Sequence, residues 1–248
     1  KESSAASDVY KRQVLPYLVN ITLAALATLL LIGAPETRAR QTQPGRLIDD
    51  LKIPSAGHRR FLFVVLPVAP WVFGAAASAY AVIPGLMATR TAGVPIAFAG
   101  LCCVLGLAAG FGLQSLGRRI DRPSGVRGVV VALVMVAAGM AIAALAAHVL
   151  TVWAALLAAV VLGCGYGMAM IAGLLEVQRI AGPDDLAGLT AVFYGVTYLG
   201  FAVPAILAWI SETWVSIGYP QMFGFGVVAA LVCLCLLYTS PSPRDRTR

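Results

Sequence analysis

Seven long apolar segments constrain the fold of this chain more than any other feature of its sequence. Each is about 20 residues or longer, which is the length that an α-helix needs to cross the hydrocarbon core of a bilayer. They span residues 14–33, 61–87, 95–116, 126–148, 152–175, 186–210 and 216–237. The chain of 248 residues is 60% hydrophobic and 12% charged, unlike a soluble domain. The sequence therefore predicts an all-α, polytopic membrane protein, a bundle of seven transmembrane helices.

Basic residues fall almost entirely in alternate loops. The loops after the first, third and fifth spans hold eleven Lys and Arg residues, whereas the other three loops hold one, Arg90. The eleven are Arg38, Arg40, Arg46, Lys52, Arg59, Arg60, Arg118, Arg119, Arg122, Arg127 and Arg179. Because cytoplasmic loops are enriched in Lys and Arg, we expect these three loops to be cytoplasmic.

The first of these loops, residues 34–60, is longer and more polar than the others and contains three prolines. It predicts a cytoplasmic linker between two helix bundles. Within the spans, the small-residue steps Gly106/Gly110 and Gly163/Gly167 favour close helix packing, because lipid supplies no hydrophobic drive for helices to associate.

The two ends of the chain can be encoded by one short DNA in opposite orientations. Residues 8–13 can be written GAT GTG TAT AAG AGA CAG, and the reverse complement, shifted by one base, translates to residues 235–240. This DNA resembles the transposase end of a sequencing-library adapter. We therefore expect residues 1–13 and 235–248 to be adapter-derived and residues 14–234 to be part of a longer gene.

The third span ends in GFGLQSLGRRIDR, residues 110–122. Here the chain resembles the major facilitator superfamily of transporters, whose cytoplasmic loops after the second and eighth helices carry the pattern GxxxDRxGRR. Gly110, Gly117, Arg118 and Arg119 match, while glutamine and serine replace the Asp-Arg pair. The resemblance implies a cytoplasmic gate in which guanidinium groups face carboxylates or helix C-termini. Ordinary positive-inside charge explains the same arginines.

Two more segments resemble this family. LLIGAPETRAR, residues 30–40, is similar to the Pro-Glu-Thr ending after the sixth helix, and GLLEVQR, residues 173–179, lies where helix ten often ends in an acid and an arginine. Glu176 and Arg179 share a helix face, so they can pair with each other or with the two arginines of the gate motif. A solvated surface pair that contributes almost nothing is the alternative.

The order of spans and motifs implies helices six to twelve of a transporter. Residues 14–33 would be the last helix of the N-terminal bundle, and residues 61–234 a C-terminal six-helix bundle whose last helix is cut short. The resemblance implies that helices seven, eight, ten and eleven face a substrate cavity near the bilayer midplane. Helical spacing places these substrate-binding candidates on the cavity side: Trp71, Ser78, Tyr166, Met170, Tyr194 and Tyr198. Packing or a membrane-interface position is the alternative for each of them.

No Asp, Glu, Lys or Arg lies in the interior of any of the seven spans. Because such residues usually form proton relays and ion sites, a coupling carboxylate would belong to the remainder of the transporter. With this resemblance, the sequence favours a secondary active transporter in a bacterial plasma membrane. Its cargo would be small, neutral or lipophilic organic molecules, and export is favoured over uptake. Its expected partners are the lipid bilayer, the small-molecule substrate and the N-terminal half of the same chain, with no nucleic acid.

The alternative hypothesis is a seven-helix receptor or another polytopic protein without transport activity. A retinal protein is excluded, because Lys52 is the only lysine outside the two ends and lies in a loop. No catalytic constellation is visible, so we do not expect an enzyme. The cysteines of the spans lack paired spacing, and neither a metal site nor a cofactor is predicted.

Overall fold

The computed structural model describes residues 2–33, 53–121, 125–182 and 185–239. Over these ranges the chain is helical apart from turns and short extended links, and it contains no strand. Seven of the described helical stretches are long and apolar enough to cross a membrane, which confirms the all-α, polytopic prediction. We number them α1 (Glu2–Ile32), α2 (Phe61–Leu86), α3 (Pro95–Ile120), α4 (Arg127–Val149), α5 (Val152–Ile180), α6 (Leu186–Thr213) and α7 (Tyr219–Thr239).

The chain divides into two compact units, Lys1–Arg46 and Leu47–Arg248. The first contains α1, whose Thr22 and Thr28 hydroxyls each donate a hydrogen bond of 2.8 Å to the carbonyl four residues earlier. Such bonds satisfy hydroxyl groups inside a membrane helix without a partner helix. Most of the predicted linker, residues 34–52, lies outside the described residues.

Helix α5 is the centre of the second unit, because it packs against α2, α3 and α4. Helix α6 packs on α2, and α7 packs on α4. The buried side chains form two clusters. One includes Leu133, Met168 and Phe193, and the other includes Leu162 and Phe223 towards the opposite end of the helices. The six helices α2 to α7 therefore share a continuous apolar interior.

The contact between α3 and α5 is made by glycine backbones. A Cβ atom added at Gly163 would lie 2.1 Å from the carbonyl oxygen of Gly106, and one at Gly167 would lie 2.0 Å from that of Gly110. No side chain fits at these distances. The prediction that these glycines serve helix packing is confirmed.

Helix α2 contains two π-helical turns, Phe61–Val65 and Ser78–Val82. Each is followed, after one further residue, by a proline, Pro67 or Pro84. Because the proline ring clashes with the carbonyl group four residues earlier, the preceding turn widens, and the amides of Leu66 and Ile83 bond five residues back, to Phe61 and Ser78. Wide turns of this kind are frequent at functional sites.

Several helices extend further than the sequence predicted, and for α3 and α5 the extension includes charged residues. Helix α3 continues to Ile120 and α5 to Ile180, so Arg118 and Arg119 belong to the last turn of α3 rather than to a loop. The placement of these arginines in the loop was therefore wrong. Cationic side chains favour a helix C-terminus, where the macrodipole is negative, and this extends the helix beyond its apolar part.

Candidate functional site

Four charged side chains meet at one end of the second unit. Arg60 immediately precedes α2, Asp121 follows α3, and Glu176 and Arg179 lie near the end of α5. All four belong to the side that the distribution of basic residues predicts to be cytoplasmic. We call them the ion-pair cluster.

Glu176 is the centre of the ion-pair cluster. The Nη2 group of Arg60 donates to its Oε1 atom over 2.9 Å, Nε of the same guanidinium donates to Oε2, and Nη1 of Arg179 donates to Oε1 over 2.7 Å. The Glu176 side chain is only 1% exposed, whereas those of Arg60 and Arg179 are 24% and 22% exposed. A buried carboxylate is thus held by two arginines that reach the aqueous side.

Asp121 completes the cluster and links it to α4. Its Oδ2 atom accepts a hydrogen bond from Nη2 of Arg179, and its Oδ1 atom accepts one from the backbone N–H of Gly128 over 3.3 Å. Gly128 lies in the first turn of α4, where N–H groups lack helical partners and the macrodipole favours a negative charge. The cluster therefore joins the end of α3, the start of α4 and the end of α5.

The partners of Arg60 stabilise its charged form. The hydrogen bond with Glu176 raises the pKa of Arg60 above its ordinary value, partial burial opposes this, and the negative charges of Glu176 and Asp121 raise it further. Its Nη2 group also donates to the carbonyl oxygen of Gly125 over 3.2 Å. Arg60 therefore remains protonated throughout the pH range in which proteins are studied.

A second polar contact holds the segment that precedes α2. The Oδ2 atom of Asp185 accepts hydrogen bonds from the N–H and the Oγ–H of Ser55, over 3.2 Å and 2.6 Å. A Cβ atom added at Gly188 would lie 2.8 Å from Cγ1 of Ile53, so the segment also packs directly on α6. Residues 53–60, predicted as linker, are therefore attached to the bundle.

The predicted gate residues divide into two groups. The structure confirms that Glu176 and Arg179 pair with each other. Arg118 and Arg119 are exposed, and neither forms an ion pair with a described residue, so the alternative pairing with Glu176 is wrong. Both arginines lie on the side of α3 that faces away from α5, and Arg60 pairs with Glu176 instead.

The two glycines of the gate motif make packing contacts. An added Cβ at Gly117 would lie 2.7 Å from Cγ2 of Ile171, and one at Gly110 would lie 2.6 Å from Cδ1 of Tyr166. Both glycines allow α5 to approach α3. Whether they also act in a gate stays a prediction.

Four aromatic rings from three helices stack on one side of the bundle. The ring of Phe73 lies 6.3 Å from that of Tyr166, 5.2 Å from that of Tyr198 and 4.4 Å from that of Phe201, measured between centroids. Tyr198 is 57% exposed and Phe201 43% exposed. We call these four residues the aromatic face. Phe73 was not among the residues selected from the sequence. It lies two residues after Trp71, and therefore on the opposite side of the helix from the face that helical spacing selected.

The other substrate candidates lie elsewhere. Trp71 and Ser78 line a cavity of about 350 Å³ between α2, α4, α6 and α7. Tyr194 packs edge-on against Phe193, with 5.7 Å between ring centroids, and Met170 packs on the same core. The structure therefore divides the six candidates among the aromatic face, the cavity and the core instead of bringing them into one site. Helical spacing selected one face of each helix, but the crossing of the helices separates those faces.

No group of three His, Cys, Asp or Glu side chains among the described residues is arranged to hold a metal ion. The five cysteines are free thiols.

A scan of the chain against protein-family models found no match, and neither the curated proteins nor the solved structures contain a match to it. The class that the fold defines is a multi-pass, all-α membrane protein.

Proposed function

We propose that this chain belongs to a secondary active transporter of the major facilitator type, which exports small, neutral or lipophilic molecules by alternating access in a bacterial plasma membrane. In this proposal the cytoplasmic ends of α2, α3 and α5 shift relative to one another between the two access states, and the ion-pair cluster fastens them in one of these states. The observation that carries the proposal is Glu176, a buried carboxylate held by two arginines that water can reach.

A buried ion pair is weak evidence for a purely stabilising role. Removing a carboxylate and a guanidinium from water has a desolvation cost that cancels most of their attraction, and apolar residues often replace such pairs without loss of stability. Breaking the pair by removing one partner is nevertheless destabilising. The cluster therefore suits a latch, which contributes little net stability when closed but defines one arrangement of α2, α3 and α5.

The aromatic face supports the choice of cargo. Its rings are partly exposed, offer flat apolar surfaces and carry the phenol hydroxyls of Tyr166 and Tyr198. Such surfaces hold amphipathic molecules by stacking and a few hydrogen bonds. Because the aromatic face consists of Phe and Tyr side chains, none of which carries a charge at neutral pH, a strongly charged cargo would have no counter-charge there.

Dye export provides the test. The complete reading frame that contains this chain would be cloned from genomic DNA, expressed in a bacterial strain lacking its main exporters, and assayed for retention of a neutral lipophilic fluorescent dye. We expect lower retention than with empty vector, restored by collapsing the proton and sodium gradients. The Glu176→Gln variant should export at least tenfold more slowly at equal amounts of membrane protein.

The matched control is Glu212→Gln, because Glu212 is exposed near the end of α6, on the side opposite the ion-pair cluster. It should export at the wild-type rate. Retention equal to that of empty vector, or export that persists after both gradients collapse, would contradict secondary active transport. If the Glu176→Gln variant exported the dye at the wild-type rate, the ion-pair cluster would not act as a latch.

A further inference from the structure

The cavity beside Trp71 is formed by helix geometry. Gly200 of α6 presses on α2 so closely that an added Cβ would lie 2.3 Å from the backbone nitrogen of Gly74. Just there α6 passes through a 3₁₀ turn, Leu199–Ala202, and Val203 and the residues after it line the cavity. The opposite wall includes Phe223 of α7. The space therefore lies where α6, pinned to α2 by Gly200, leaves a gap to α7.

The wall of the cavity offers almost no polar group. Ser78 is its one hydroxyl residue, and the Oγ–H of Ser78 already donates to the carbonyl oxygen of Gly74 over 2.8 Å. No charged side chain is among the residues that line the cavity, all of which the structure describes. A charged or strongly polar guest would lose its hydration there without compensation, so the wall selects for an uncharged, apolar molecule.

Size and access point to a guest from the bilayer. An apolar cavity of about 150 Å³ holds one benzene molecule, so about 350 Å³ has room for two or three aromatic rings or a comparable hydrocarbon. Ile206 and Phe225, which line the cavity, are 50% and 63% exposed and form its rim. The opening therefore lies between stretches of α6 and α7 that are long and apolar enough to cross a membrane.

We propose that this cavity, bounded by α2, α4, α6 and α7, is a binding site for an uncharged lipophilic molecule that enters sideways from the bilayer. It is separate from the aromatic face, because Phe73 and Trp71 project from opposite sides of α2. The site stands on its own lining and volume, so it holds whether or not the chain takes part in transport.

The intrinsic fluorescence of Trp71 allows a direct binding test. Replacing the exposed Trp153, Trp209 and Trp214 by Phe leaves Trp71 as the only tryptophan. This chain, reconstituted in lipid nanodiscs, would be titrated with the neutral dye N-phenyl-1-naphthylamine or the anionic dye 8-anilino-1-naphthalenesulfonate. After the signal from empty nanodiscs is subtracted, energy transfer from Trp71 to the neutral dye should saturate at one dye per chain. Energy transfer to the anionic dye should not saturate.

Two substitutions should close the cavity. Gly226→Leu adds a side chain towards Met140, because an added Cβ at Gly226 would lie 3.3 Å from Sδ of Met140, and Ala229→Leu narrows the rim one turn further along α7. Each should weaken binding of the neutral dye at least tenfold. The matched control is Gly224→Leu, since an added Cβ at Gly224 meets nothing within 4 Å and the residue is not part of the lining.

A further arm distinguishes the two sources of such a molecule. In nanodiscs whose acyl chains carry bromine, quenching of Trp71 that cyclohexane relieves would identify a lipid tail as the resident guest, because cyclohexane does not accept energy from tryptophan. Quenching that cyclohexane leaves unchanged would assign the site to free lipophilic molecules.

Either result supports the site. Non-saturable transfer, equal binding of the anionic dye, or full dye affinity in both leucine variants of the cavity would overturn it. If circular dichroism shows that neither leucine variant folds, the comparison of the two dyes on the chain that keeps Trp71 as its only tryptophan still decides.

Discussion

The substitution Gly167→Ala should destabilise the bundle, although alanine is the better helix former. The added methyl group would lie 2.0 Å from the carbonyl oxygen of Gly110, and ordinary van der Waals contact begins at 3.4 Å. The backbones of α3 and α5 must therefore separate by about 1.4 Å, the difference between these two distances. Neither side can yield by a rotamer change, because the obstructing atom belongs to the main chain.

The expected loss follows from two opposing terms. Overpacking costs about 1–3 kcal/mol, and a gap of about 1 Å along the rest of the interface forfeits a quarter to a half of the dispersion energy there. Alanine restores about 0.5–1 kcal/mol of helix propensity. We expect a net loss of about 2–3 kcal/mol in the free energy of unfolding, measured by circular dichroism in mixed micelles with an increasing fraction of dodecyl sulfate.

The control for this prediction is Gly100→Ala in α3, where an added Cβ meets nothing within 4 Å. It should leave the unfolding free energy unchanged or raise it by about 0.5 kcal/mol through propensity alone. The reasoning is refuted if Gly167→Ala is as stable as the wild type, or if Gly100→Ala loses as much stability.

Three further predictions test the ends of the bundle. Glu176→Gln should lower the unfolding free energy by about 2–3 kcal/mol. This is less than the roughly 3–5 kcal/mol that breaking a fully buried pair costs, because water reaches both arginines. The control Glu212→Gln should change the unfolding free energy by less than about 0.5 kcal/mol in the same micelle titration. Ser55→Ala removes one hydrogen bond to Asp185, worth about 1 kcal/mol, so amide hydrogen exchange should accelerate at residues 53–60 and stay constant in α4; uniform acceleration would contradict a local contact. Trp153, 82% exposed at the start of α5, should be quenched more by a headgroup quencher than by a mid-chain one if it lies at the membrane interface, and the reverse order would exclude that position.

The sequence alone predicted the helices well, because the signal for a spanning helix is local. Twenty apolar residues identify a span whatever surrounds them, and glycines four residues apart indicate where a partner helix can approach. The contact of Gly106 and Gly110 with α5 therefore agrees with expectation. The pairing of Glu176 with Arg179 also followed from spacing along a single helix.

Features that depend on the meeting of separate helices were not predictable in the same way. Arg60 pairs with Glu176 because the start of α2 packs beside the end of α5, and the residues around Arg60 do not record which helices are neighbours. The cavity is equally hidden, since it results from the contact between Gly74 and Gly200 and the course of α6 beyond it. Among the substrate candidates, helical spacing gave a face for each helix but not the angles at which helices cross.

The two π-helical turns of α2 allow local changes in the hydrogen bonding and rotation of this helix. A turn closed five residues back can return to the ordinary spacing of four by shifting its hydrogen bonds one residue, which rotates everything beyond it while leaving the helix unbroken. The wide turn Ser78–Val82 begins at a residue that lines the cavity. The two ends of helix α2 can therefore rotate about the helix axis independently of each other. A single-residue deletion within Ser78–Val82 should convert this π-helical turn into a regular α-helical turn.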